Sequence, residues 1–227
     1  MPIHPPPEAV SFDCYGTLVD WETGLERSVL WVLRTKPDAP GIDKVVEAWN
    51  RHERALTSGK EGYRRYRDVI AEALRLSFDE LGVAWQPRDG YALAHDMGSW
   101  PAFDDVPGSL AQLRDLGYKL AIFSNTDDDI LADTVKTLGV APDLALTAEQ
   151  VKAYKPDARV FLEGAKRLGL QPSQVLHCSF SPYHDLEPAH KLGFRTFFVD
   201  RKGFGESEVP VDFQGRDLRA LVELLGT

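Results

Sequence analysis

A carboxylate placed for chemistry stands at Asp13, where the apolar run of residues 8–13 (EAVSFD) breaks into the turn Cys14-Tyr15-Gly16-Thr17. An aspartate at a strand end, backed by a glycine turn and the Thr17 hydroxyl, is held rigidly with its lone pairs aimed outward. That suits a nucleophile attacking an electrophilic centre. The same residues also fit a plain acidic strand terminus with an Asx-type turn. A second polar pair, Ser124-Asn125, closes the run KLAIFS and offers a hydroxyl and an amide able to bind an anion or orient a nucleophile. Its competing role is a helix cap, since Thr126 and Asp129 have capping-box spacing. We read Asp127, Asp128 and Asp129 as capping residues suited to the positive end of a helix.

These residues need a scaffold that brings strand ends together. Short apolar runs recur at residues 8–13, 119–124, 144–147, 174–179 and 195–200, and helical patterns at 108–116, 130–138 and 158–168 separate the later ones. Strands alternating with helices predict a parallel sheet wound on both faces. Residues 21–100 break the rhythm. Val45, Val46 and Trp49 predict one amphipathic helix there, and Ile70, Leu74, Phe78 and Leu81 another, with no convincing strand. An all-helical insertion directly after the first strand's turn is expected to cover the carboxyl end of the sheet, where open α/β folds bind ligands.

Composition limits the function classes. In 227 residues, 26 Lys and Arg stand against 35 Asp and Glu, a net charge of −9 that disfavours a phosphate-tracking nucleic-acid surface and leaves any anionic ligand dependent on a local basic pocket. The run Arg64-Arg65-Tyr66-Arg67 is accordingly read as a polar helix face. Cys14 and Cys178 are the only cysteines, an arrangement that suits buried thiols in a reducing compartment. No apolar run nears the roughly 18 residues of a membrane span, so a cytoplasmic setting is expected.

In sequence order, Phe12-Asp13-Cys14-Tyr15-Gly16-Thr17-Leu18-Val19-Asp20, Ser124-Asn125, Lys155 within AYKPD and Asp185 within SFSPYHD resemble the four signatures of the haloacid dehalogenase superfamily. The resemblance implies a Rossmann-like α/β core over residues 1–20 and 101–227 and an inserted all-helical cap domain over 21–100. It implies Asp13 as nucleophile with Thr17 and Ser124 beside it, and Lys155 as an ammonium that keeps Asp13 ionised and offsets charge during attack. Asp185 would anchor Lys155 or polarise the water that hydrolyses an intermediate.

Phosphatases of this superfamily carry an acid/base Asp two positions after the nucleophile and an acidic metal ligand four positions before the last carboxylate. This chain has Tyr15 and Ser181 there. Asp13 and Asp185 beside Lys155 hold too little negative charge for Mg²⁺, which wants several oxygen ligands, so no metal and no cofactor are expected. Tyr15 and the helical insertion are similar to the 2-haloacid dehalogenase branch. The branch implies in-line displacement of halide by Asp13, an ester, and hydrolysis of that ester to an inverted 2-hydroxy acid.

Some positions depart from the branch: Pro182 replaces Asn, His184 replaces Trp, and Phe161 replaces Tyr. The His184 N–H would favour fluoride, a small hard leaving group, in defluorination of a small acid. Tyr15, Asn125, Ser181 and His184 are expected to contact substrate, and Arg51 within Trp49-Asn50-Arg51, with Arg54 one turn on, is the nearest match to the branch's halide-binding arginine. His177, His190 and Cys14 read as structural. The expected partner is a small carboxylate, with neither nucleic acid nor membrane, in a chain whose apolar cap faces suit a homodimer. A Mg²⁺-dependent phosphomonoesterase, a hydrolase of another activated carbon and a binding protein without turnover remain open from sequence.

Overall fold

The protein is described here from a computed structural model covering residues 3–58 and 62–226, so the outermost points of the expected core at residues 1, 2 and 227, and residues 59–61 of the insertion, lie outside the described residues. Six strands, β1 (Ala9–Phe12), β2 (Lys119–Ser124), β3 (Leu144–Thr147), β4 (Val175–Ser179), β5 (Arg195–Val199) and β6 (Phe213–Gly215), form one parallel sheet in the order β3-β2-β1-β4-β5-β6. The chain builds outward from β1 in one direction, then returns to add β4 to β6 on the other side. The reversal opens a crevice at the carboxyl ends of β1 and β4.

Every residue of β1 is buried, as a strand covered on both faces requires. Alternation sends Val10 and Phe12 into the larger apolar cluster, while Ala9 enters a second cluster with Phe123, Phe161 and Phe194 on the opposite face.

The helices are α1 (Trp21–Leu33), α2 (Ile42–Thr57), α3 (Tyr66–Leu81), α4 (Pro87–Asp96), α5 (Val106–Asp115), α6 (Asp128–Thr137), α7 (Ala148–Val151), α8 (Ala158–Leu168), α9 (Glu187–Lys191) and α10 (Leu218–Leu225). The first five fall between β1 and β2, and α1 to α4 occupy the insertion. Their packing rests on the predicted periodic positions, since Val45, Trp49, Ile70, Leu74 and Phe78 are all buried. The way out and the way back run side by side: Asp20 N donates to Pro101 O at 2.8 Å, and Phe103 N to Leu18 O at 3.0 Å. Trp100 closes this neck by packing on Gly24, where a Cβ would lie 2.3 Å from the indole, and by donating from Nε1 to Ser28 at 3.0 Å.

Asp128 and Asp129 lie in the first turn of α6, as expected of them, but Asp127 at its N-cap position acts differently. Asp127 makes no side-chain cap to its own helix α6. It is fully buried and instead accepts the backbone N–H groups of Tyr66 and Arg67, each at 2.9 Å, so that it caps α3 from across the chain. The first turn of α3 offers unpaired donors and a partial positive charge, and Arg65 at its N-cap position has no side chain able to satisfy them. Asp128 accepts Thr147 Oγ1 at 2.5 Å, and Asp129 pairs with Arg67. Among the described residues, no helix is long and apolar enough to cross a membrane.

Candidate active site

Asp13 follows β1 directly, its N–H continuing the ladder to Cys178 O at 3.0 Å. The chain then turns sharply through Gly16 at φ +101°, where a Cβ would both strain the backbone and collide with Phe180 at 2.3 Å. This tight turn brings Thr17 back over the carboxylate, and Thr17 Oγ1 donates to Asp13 Oδ2 at 2.9 Å while accepting Phe180 N–H at 3.1 Å. The other oxygen, Oδ1, accepts Lys155 Nζ at 2.8 Å.

Lys155 is 2% exposed and also donates to Asp185 Oδ1 at 2.6 Å, so one ammonium spans two carboxylates. Its backbone is fixed by Asn125, which donates from Nδ2 to Lys155 O at 3.1 Å and accepts Lys155 N–H on Oδ1 at 2.7 Å. Asp185 is carried on a single π-helical turn, Pro182–Leu186, after β4; such turns are rare and frequent at functional sites. It also binds His177 Nε2 at 3.0 Å.

Burial disfavours charge throughout this cluster, and the ion pairs decide where it remains. At Asp13 burial and the neighbouring Asp185 charge outweigh Lys155 and raise the carboxyl above its ordinary value. Burial would raise Asp185 too, but Lys155 and the His177 hydrogen bond prevail and hold it well below the usual carboxylate range. The ammonium, opposed by burial, is held charged by both acids.

Tyr15 donates to Thr134 Oγ1 at 2.8 Å, since the Thr134 hydroxyl proton is already given to Ile130 O at 3.0 Å. Burial pushes its phenol well above the ordinary value, and its ring meets Trp100 edge-on with centroids 6.1 Å apart. A phenol so engaged walls the cleft and gives no proton to a leaving group. His184 binds Ser181 Oγ through both its backbone N–H and Nδ1, each at 3.2 Å, and burial lowers its imidazole pKa.

Asp13, Tyr15, Asn125, Lys155, Ser181, His184 and Asp185 border one cleft of about 780 Å³, whose far wall is helical: Trp49, Asn50, Glu53, Arg54 and Thr57 from α2 and Tyr66 from α3. Thr17 acts from beneath, through Asp13. Two expected residues are placed elsewhere. Arg51 points along another face of α2 to Glu80 on α3, at 2.5 Å, because the helix turns by about 100° per residue and the cleft-facing stripe runs through positions 50, 53, 54 and 57. Arg54 borders the cleft in its stead. Ser124 Oγ is buried and unpartnered, and the residue does not line the cleft, whereas Asn125 does.

Glu53 was not singled out by sequence. It accepts Tyr66 Oη–H at 3.2 Å, and its carboxyl is pushed up to about 7, chiefly by burial.

The donor set does not fit the magnesium ion that relatives of this fold imply. Lys155 Nζ already bridges the facing oxygens of Asp13 and Asp185, the next side chains, Tyr15 and Ser181, are neutral, and the described residues hold no group of three metal-ligating side chains.

The chain is similar to known proteins in sequence and fold. A family model for haloacid dehalogenase-like hydrolases matches residues 7–225. The (S)-2-haloacid dehalogenase of Pseudomonas sp. (strain YL) is 32% identical over 97% of this chain and 95% of its own. The haloacetate dehalogenase H-2 of Moraxella sp. (strain B) is 26% identical over 96% of this chain and 97% of its own. A crystal structure of a dehalogenase with intermediate complex superposes with a TM-score of 0.86 at 25% identity, covering 99% of this chain and all of that one. By its sequence and by the fold that carries its site, this chain belongs to the haloacid dehalogenase-like hydrolases.

Proposed function

We propose that the protein hydrolyses the carbon–halogen bond of small 2-haloacids, with residues 1–20 and 101–227 as the catalytic core and 21–100 as a helical cap. The observation that carries this reading is the Asp13 carboxylate, held from behind by Lys155 and Thr17 and open to a cleft. In the first step an Asp13 oxygen attacks C2 in line, the new C–O bond forms, and halide leaves with the bonding electron pair. Chloride or bromide needs no acid to depart, which is consistent with a Tyr15 phenol committed to Thr134. Arg54, the cleft-lining guanidinium, serves the departing halide or the substrate carboxylate. In the second step water adds to the Asp13 acyl carbon while Asp185 takes its proton. Collapse releases the 2-hydroxy acid with inverted configuration and restores Asp13 with an oxygen from water. The net reaction converts haloacid and water into hydroxy acid, halide and a proton.

Ser181 positions His184, and the His184 N–H supports fluoride as a leaving group. A reducing compartment such as the cytoplasm suits the two buried free thiols. A homodimer would use the exposed Leu30, Trp31 and Tyr91, and sedimentation decides it.

The test is halide release from chloroacetate, both 2-chloropropionate enantiomers and fluoroacetate, followed by turnover in ¹⁸O-water and peptide mass spectrometry. Label accumulating in the peptide that contains Asp13 supports the ester route; label confined to product means direct attack by water. Phosphatase activity towards p-nitrophenyl phosphate that EDTA abolishes, without halide release, overturns the reading.

A further inference from the structure

Beneath the cleft, on the second face of the sheet, lies a polar pair in apolar surroundings. Ser11 of β1 and His177 of β4 are register partners on adjacent strands and point to the same side. Both are fully buried. The imidazole stacks on Phe123 with centroids 5.7 Å apart and meets the edge of Phe161 at 5.4 Å. A phenylalanine would suit this aromatic layer, and an unpaired imidazole there would cost free energy. Instead both ring nitrogens are engaged: Nδ1 binds Ser11 Oγ at 2.8 Å and Nε2 binds Asp185 Oδ1 at 3.0 Å.

An ionised carboxylate only accepts, so Nε2 carries the proton toward Asp185. In the neutral ring Nδ1 is then the acceptor for the Ser11 hydroxyl. Asp185 therefore sets the tautomer, and the Ser11 hydroxyl fixes the ring by satisfying its other nitrogen.

Both of Asp185's protein donors, Lys155 and His177, bind Oδ1, which leaves Oδ2 without a donor among the described residues on an acid that borders the cleft. This asymmetry matters in the second chemical step. Once Asp13 is an ester it has lost its charge, and Lys155 no longer faces two anions. A carboxylate free to rotate would then offer both oxygens to the ammonium and lose its value as a base. A second donor on Oδ1, from the opposite side, prevents the rotation.

We propose that His177 is a positioning residue for ester hydrolysis: oriented by Ser11, it pins Asp185 so that Oδ2 stays available to the attacking water. The inference rests on the ester route above. It predicts that losing His177 slows the second step and leaves alkylation of Asp13 and substrate binding alone.

The experiment uses the full chain and the haloacid giving the fastest halide release. His177→Phe keeps the aromatic layer and removes both hydrogen bonds. Its kcat should fall on the order of tenfold or more while kcat/KM stays within about twofold, so that KM falls in step with kcat, and Asp13 ester trapped by acid quench during steady state should rise above the wild-type fraction. His177→Gln, whose side-chain amide donates from near the Nε2 position, should recover most of the loss. Ser11→Ala should show a smaller rise in trapped ester. A histidine that only fills space would change thermal stability and leave the ester fraction unchanged.

Wild-type ester fraction and kcat in His177→Phe overturn the proposal. If that variant does not fold, a raised ester fraction in Ser11→Ala beside a near-wild-type fraction in His177→Gln supports the proposal, and a wild-type ester fraction in Ser11→Ala overturns it. Absence of any Asp13 ester in the wild type overturns the ester route itself, and this proposal with it.

Discussion

The two walls of the cleft are built on different principles. On the sheet side, Asp13, Lys155, Asp185, Thr17 and His177 are buried and joined by hydrogen bonds of 2.6 to 3.0 Å, each donor matched to an acceptor. On the helical side, Trp49 donates to Ile70 O, Thr57 to Glu53 O and Tyr66 to the Glu53 carboxylate, but the side chains of Asn50 and Arg54 border the same space with no hydrogen bond or ion pair to the described residues. A network in which every member is satisfied holds one geometry, as a nucleophile requires. A wall of unpaired side chains on a helix adapts to whatever is bound. On the proposed function, reactivity belongs to the sheet and substrate choice to the helices, and substitutions on the two sides should affect different kinetic constants.

The largest effect should come from Asp13→Asn, which removes the proposed nucleophile and should lower kcat by ~10⁴-fold or more without unfolding the chain. Residual turnover near the wild-type rate would mean that water attacks directly. Lys155→Met should come next, in both activity and stability. It leaves two buried carboxylates without their cation, and urea unfolding at neutral pH should show a loss of about 3–5 kcal/mol. Across the cleft, Arg54→Ala should raise KM by about tenfold with a small change in kcat, the value of one charged hydrogen bond, whereas Arg51→Ala should leave both within about twofold. Equal effects of the two arginines would erase the distinction drawn along α2.

The smallest effect, and the one most specific to the helical wall, concerns Glu53. Its folded-state value of about 7 lies above its ordinary 4.5, so the folded protein binds this proton more tightly than the unfolded chain does. The resulting stability is complete below about 4.5 and is lost as pH rises to about 7. Glu53→Gln should remove that slope from the melting temperature between those limits. An unchanged slope would place the titration elsewhere.

The sheet side was largely legible in the sequence, and the helical side was not. Asp13, Thr17, Lys155 and Asp185 stand in short segments whose local pattern dictates their place: a strand end, a glycine turn, a Lys-Pro step, a loop after a strand. Their order along the chain makes the set recognisable. Arg51 was named from its neighbour Trp49, but which residue of a helix meets a cleft depends on rotation about the axis and on the partner helix, here through Glu80. Asp127 looked like a local cap because its spacing allowed one, and only the tertiary structure shows that it serves α3. His177 sits in an unremarkable apolar strand. The period-two alternation that places it beside Ser11, behind the acid, could have been read once the register of β1 and β4 was known.

The neck at Asp20 and Pro101 carries a consequence for how such a chain diversifies. Chain segments leaving and re-entering the fold side by side, joined by two hydrogen bonds, form a socket: the sheet needs only that two chain ends arrive there together, whatever lies between them. Helices of another length, number or lining could be grafted at this socket while Asp13 kept its neighbours, so new substrates could be sampled without rebuilding the reacting groups.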